Sequence, residues 1–217
     1  MQTFLYPLRQ LGEFETMEET LAAQPGMMQI AGCVDSQKAH LIYGLGQRKK
    51  YRVILAANEL KAKELYEDYR FFDENTLLYP AKDLIFFSAD VHGNYLVRQR
   101  MEVWKTLLEG EPATIITSID GCMDRVMPLE LIRDSVVKIH QTSMVEMEAL
   151  AVRLAALGYE RTAQVEASGQ FAVRGGIVDI FPLTEENPIR IEFWDNEIDS
   201  IRSFDADSQR SIENLSE

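Results

Sequence analysis

The chain has 217 residues, 46% of them hydrophobic, enough to bury a real core in one large domain or two small ones; two are expected. Lys and Arg total 22 against 35 Asp and Glu, a formal charge of -13, the wrong sign for a surface that works by neutralising phosphates, so strong direct DNA binding is not expected. No run approaches a membrane span and no signal peptide opens the chain. Cys33 and Cys122 stand far apart without CxxC spacing, so neither a disulfide framework nor a zinc site is suggested, and buried, reduced thiols in a cytoplasmic protein are expected.

In chain order, apolar Met27 to Ala31 reads as a strand, Ser36 to Leu45 as a helix, Val53 to Ala56 as a strand, and Glu59 to Phe72 as a helix capped by Asn58 with a Glu59–Lys63 pair. The basic run Arg48-Lys49-Lys50 with Arg52 reads as a solvated helix end or loop. Thr76 to Tyr79 forms a further strand, Pro80 to Gly93 an extended surface loop, Leu96 to Leu108 a helix, and Ala113 to Thr117 a strand, after which Ser118 caps a short helix. Strands alternating with helices imply a parallel sheet in an α/β domain, taken as residues 1–127.

From residue 128 the pattern changes. A β-type run, Val136 to Ile139, precedes a helix from Met144 to Leu157, for which Ser143-Met-Val-Glu146 has capping-box spacing and Gly158 is the stop. Met147, Leu150, Leu154 and Leu157 give that helix one apolar face, expected to pack on the following sheet. Short strands with tight turns then fill Phe171 to Pro182, Arg190 to Arg202 and Phe204 to Arg210. Their apolar alternation places Phe171 and Val173, Ile177 and Asp179, Ile191 and Phe193, and Ile198, Ile201 and Phe204 at sheet-like spacing. This α+β domain is taken as residues 128–210, with 211–217 the start of a further continuation. Residues 128–217 carry 8 basic and 17 acidic side chains, the more acidic part of the chain.

One segment sits where a phosphate loop of the form GxxxxGK[ST] belongs. Gly32 and Lys38 are in register with it, but Gln37 replaces the glycine that lets amides close around phosphates, and Ala39 lacks the hydroxyl that holds magnesium. It reads either as a vestigial nucleotide site or as an ordinary strand–turn–helix. His40, His92 and His140 show no metal-ligand spacing and read as structural. Asp195, Glu197 and Asp199 read as an exposed acidic or docking face rather than as acid/base catalysts.

Four segments together carry a resemblance: the degenerate loop Gly32 to Ala39; Leu78-Tyr-Pro-Ala-Lys-Asp-Leu84 to Val91-His-Gly93; Gly158-Tyr-Glu-Arg161; and, most specifically, Arg174 to Arg210. The chain resembles the N-terminal, UvrB-like module of the bacterial transcription-repair coupling factors, Mfd. UvrB itself, the alternative as a nucleotide-dependent damaged-DNA-binding ATPase, keeps an intact phosphate loop and an aromatic-rich hairpin, where this chain has Gln37, Ala39 and only the Pro80–Gly93 segment.

The resemblance implies a degenerate P-loop NTPase-like domain followed by a UvrA-binding domain, with no catalysis and no cofactor in this chain. It implies a longer parent, an ATP- and Mg-dependent double-stranded DNA translocase that displaces stalled RNA polymerase and recruits UvrA. By the same resemblance Arg161, Arg174 and Glu192 meet UvrA, while Ser168 and Ala172 stand where UvrB has two further arginines. From charge alone, Arg161 and Arg174 read instead as surface ion pairs with the abundant local carboxylates.

Overall fold

A computed structural model describes residues 2–23, 26–82 and 90–217. The chain divides into two compact units, Met1–Ser88 with Glu102–Arg125, and Ala89–Met101 with Val126–Glu217.

The first unit holds α1 (Gln2–Arg9), α2 (Phe14–Ala23), α3 (Asp35–Gly46), β1 (Tyr51–Ala56), α4 (Glu59–Tyr69), β2 (Thr76–Tyr79), the second half of α5 (Asp90–Glu109), β3 (Ala113–Ser118) and α6 (Ile119–Met123). Its strands form a parallel sheet in the order β1-β3-β2. Such a sheet needs both faces covered, which is why its strands read as apolar runs. On one side Ile54, Ala56 and Ile116 pack with Ala39 and Tyr43 of α3 and Ala62 and Tyr69 of α4. On the other, Tyr79, Ala113 and Ile115 pack with Val103 of α5.

Several local expectations hold. Asn58 caps α4 by accepting from the Lys61 amide at 2.9 Å, β2 spans the expected residues, and the Ser118 hydroxyl accepts from the Gly121 amide to cap α6. Others are corrected. No strand forms over Met27–Ala31, and β1 remains an edge strand of the sheet. The expected Glu59–Lys63 pair is replaced by Lys61–Glu64 at 2.7 Å, since Glu59 turns inward to bond the Ser118 hydroxyl and the Ala81 amide. Arg52 is not solvated; it pairs with buried Asp73 at 2.8 Å, and the Thr114 hydroxyl donates to the same carboxylate at 2.7 Å. Of the expected Pro80–Gly93 loop, residues 90–93 belong to α5 and 83–89 lie outside the described residues.

Neither cysteine is buried as expected: Cys33 is half-buried and Cys122 exposed. His40 does have a structural place, stacked on Phe72 and bonded through Nε2 to the Phe4 carbonyl, which ties α1 to α3. His140 is exposed beside Glu217, at 3.5 Å, and the His92 side chain lies outside what is described. No described helix is long and apolar enough to cross a membrane.

The second unit adds α7 (Leu129–Ser135), α8 (Met147–Ala156), β4 (Glu160–Arg161), β5 (Gln170–Arg174), β6 (Ile177–Ile180), β7 (Ile189–Trp194), β8 (Glu197–Phe204) and β9 (Ser211–Asn214). These strands form one mixed sheet in sequence order, with β4 parallel to β5 and every later pair antiparallel. Residues 211–214 thus pair with β8 as the last strand.

The helix start differs from expectation. Glu146 is the cap residue and makes no side-chain cap bond, because the Ser143 hydroxyl is spent on the His140 amide at 3.0 Å. Residues 136–139 are not a strand, although Val137 and Ile139 still pack on the core. As expected, α8 lays Leu150 and Leu154 on the sheet, against Phe171, Val178, Ile180, Ile191, Ile198 and Ile201.

Because Leu154 is 4% exposed at the centre of that contact, Leu154→Ala is expected to destabilise the second unit by about 2–5 kcal/mol, read as a lower urea midpoint by circular dichroism.

Candidate functional site

Alternation along β5, β6 and β7 splits the second sheet into an α8 face and an opposite face. Phe171, Val173, Val178, Ile180, Ile189, Ile191 and Phe193 contribute to the core under α8. The partners in register on the opposite face run in two rows: Arg174, Ile177, Glu192 and Ser200; then Ala172, Asp179, Arg190 and Arg202. Ile177 and Asp179, read from the sequence in phase with the core positions, lie on this opposite face, and Val178 and Ile180 take the inward places. The Gly175–Gly176 turn sets that phase: Gly175 adopts φ +59, and a Cβ on Gly176 would lie 3.0 Å from the Phe193 carbonyl.

At the centre of this face Asp179 is completely buried. Arg190 grips it with two bonds, Nε to Oδ1 at 2.7 Å and an Nη to Oδ2 at 2.9 Å, and Arg174 donates to Oδ2 at 2.7 Å. Two guanidinium groups thereby saturate a carboxylate that would be prohibitive to bury alone. The Asp179 hydrogen bond holds the Arg190 pKa above its ordinary value. Arg190 also lies 4.4 Å from the Phe204 ring centroid and donates to Gln209. Arg190 is thus a clamp, with 15% of its side chain exposed, whereas Arg174 keeps 46% of its side chain in solvent.

The sequence-predicted residues separate accordingly. Arg174 and Glu192 share the opposite face, in one row with Ile177 between them. Glu192 is held by Arg202 and by the Ser200 hydroxyl at 3.0 Å. Arg161 is not brought to them: its register opposite Phe171 puts it at the β4 edge on the α8 side, exposed. Ala172 is buried beside Asp179. Asp195 sits in the β7–β8 turn at φ 57 and Asp199 at a bulge, so Asp195, Glu197 and Asp199 do not form one carboxylate row. Sequence reasoning missed the Asp179–Arg190 pair, whose signal was an acid inside the run Ile177-Val-Asp-Ile180 with arginines on both paired strands.

The loop at Gly32 does not close around an anion. Lys38 Nζ is bound to Asp35 Oδ1 at 2.7 Å, and this bond holds the Asp35 carboxyl below the ordinary carboxylate range. Ala39 is buried against the sheet and offers only a methyl. The open cavity beside the loop, about 450 Å³, is lined by Glu13, Phe14, Met17 and Leu41 among others, and Lys38 does not line it. Among the described residues no cluster of side chains could hold a metal ion. At positions 37 and 39 the loop thus has neither the glycine nor the hydroxyl that phosphate loops use for phosphate and magnesium.

A family model for the UvrB interaction domain matches residues 137–217. Residues 137–217 belong to the UvrB interaction domain family. It is also similar to the transcription-repair-coupling factor of Bacillus subtilis, 37% identical over 189 residues, covering 86% of this chain and 16% of that protein. The Staphylococcus aureus protein of the same name is 31% identical over 191 residues, covering 87% and 16%, and that of Staphylococcus epidermidis is 29% identical with the same coverage. The chain thus spans about one sixth of the length of these relatives. The matched span contains α8 and the whole mixed sheet, so the UvrB interaction domain includes both the core and the Arg174–Glu192 face.

Removing Asp179 from the UvrB interaction domain strands Arg190, so Asp179→Ala is expected to cost about 3–5 kcal/mol. Arg174→Ala leaves the Arg190 clamp in place but takes one charge-assisted bond from buried Asp179, and should cost less, about 1–3 kcal/mol; both are measurable by urea unfolding. At the loop, a pKa held low favours the folded state above the ordinary carboxylate range, and this contribution fades as pH falls through the lowered folded value. Carboxyl NMR titration should therefore show the Asp35 pKa rising to the ordinary range in Lys38→Ala.

Proposed function

We propose that this chain is a non-catalytic recruitment module of a transcription-repair coupling factor and that its second unit docks the excision repair protein UvrA. The observation that carries this reading is the open row of Arg174, Ile177 and Glu192 on the sheet of a UvrB interaction domain. Arg174 presents a planar fork of donors, already oriented by its bond to Asp179, so little side-chain freedom is lost when a partner carboxylate is met. Glu192, fixed by Arg202 and Ser200, offers an acceptor beside it. Arg161, exposed at the β4 edge on the α8 side, lies off this face and is a secondary contact at most.

The first unit is a P-loop NTPase-like fold that has lost its chemistry. This is supported by the parallel β1-β3-β2 order and by Gly32 and Lys38 at phosphate-loop spacing, with Lys38 engaged by Asp35. Glu59, bonded to the Ser118 hydroxyl and the Ala81 amide, occupies the carboxyl ends of β2 and β3, where such sheets bind ligands. ATP, magnesium, double-stranded DNA and RNA polymerase belong on this reading to the rest of a cytoplasmic, DNA-translocating parent.

Calorimetry with UvrA tests the proposal. Wild type should bind; Arg174→Ala should lose about 10-fold or more in affinity, and Glu192→Ala should weaken binding in the same direction. Unchanged affinity in Arg161→Ala, Arg174→Ala and Glu192→Ala together would discard the surface. ATP hydrolysis abolished by Lys38→Ala would instead make the chain a UvrB-like ATPase.

A further inference from the structure

Trp194 ends β7 two residues beyond Glu192, so the two side chains leave the same face of the sheet about 7 Å apart. Its indole is 79% exposed, against the tendency of tryptophan to be highly buried. The local sequence explains why nothing covers it. On the β6 side the strand has ended in the Gly175–Gly176 turn, and a Cβ on Gly175 would meet nothing within 4 Å. On the β8 side the residue in register is Glu197, which is exposed. Among the described residues the indole stacks on no other ring. A rigid ring therefore stands at the open end of the row, continuous with Arg174, Ile177 and Glu192, while the other end of the face is closed by the buried Asp179–Arg190 clamp.

We infer that Trp194 is the aromatic anchor of the docking face and that it takes an arginine side chain of UvrA. The inference rests on the UvrA-docking reading above. A guanidinium stacks on the indole by cation–π attraction, and the carboxylates nearest the ring, Glu197 opposite it and Asp195 next in the chain, are both exposed and engaged in no ion pair among the described residues. The second unit's acidic excess supports the same sign of partner. Tryptophan and arginine are the residue types that dominate protein interfaces, and they do so when a neighbouring rim excludes water. Here Ile177, half-buried between Arg174 and Glu192, is the apolar floor of that rim.

The chain has two tryptophans; Trp104 packs edge-on to Tyr79 in the first unit. The emission difference between wild type and Trp194→Phe therefore isolates Trp194. Titrating UvrA into both should give a blue-shifted or quenched Trp194 signal that saturates with the calorimetric isotherm. Trp194→Ala should lower UvrA affinity about 30-fold without changing the melting temperature, Trp194→Phe should retain most of the affinity, and Glu197→Gln should weaken binding several-fold with a flatter salt dependence. Trp194→Ala binding within twofold of wild type, or a Trp194 signal unmoved at saturation, overturns the inference even where Arg174→Ala weakens binding. A wild type that fails to bind UvrA overturns the docking reading and this inference together.

Discussion

The mixed sheet of the second unit depends on one buried charge. Asp179 replaces an apolar residue on a strand whose neighbours are Val178 and Ile180, and it is tolerated there because two arginines from the adjoining strands give it charge-assisted bonds to both oxygens. Those bonds cross-link β5, β6 and β7. They also orient Arg174, whose remaining surface is in solvent, and they hold Arg190 against Phe204 and Gln209 so that the connection from β8 to β9 closes over the far end of the face. A carboxylate without these partners would have to leave the interior or unfold the sheet. The exposed half of the face is therefore rigid because its buried half is ionic.

The first unit shows the same economy. Several of its polar side chains pair within the unit: Asp73 with Arg52 and Thr114, Glu59 with the Ser118 hydroxyl and the Ala81 amide, and at the surface Lys38 with Asp35.

Much of this was legible beforehand. The β1, β2 and β3 runs, the Asn58 and Ser118 caps, the apolar face of the helix before Gly158 and the sheet after Phe171 follow from local period and capping chemistry, which short segments carry on their own. The failures share one cause. Met27–Ala31 has the composition of a strand but pairs with neither edge of the β1-β3-β2 sheet; Ser143 and Glu146 have capping-box spacing, yet Ser143 bonds the turn at His140; Glu59 is spaced for Lys63 but has better partners across the sheet. In each, a local preference of a few tenths of a kcal/mol yields to a tertiary one.

Arg174, Glu192 and Arg161 could be picked out along the chain by their motifs, because residue type and spacing are properties of the chain. Which of them share a surface could not. That depends on the phase of β6, which the Gly175–Gly176 turn shifts by one residue, and on the register of β4 with β5, which turns Arg161 to the other side. A period of two makes every side chain's face hang on a single-residue choice of pairing, and that choice is made by strands distant in sequence. Acidic charge, a broken phosphate loop and a β-rich second half were written in the amino-acid order; the union of Arg174, Glu192 and Trp194 on one rigid face, built over a saturated Asp179, came from packing alone.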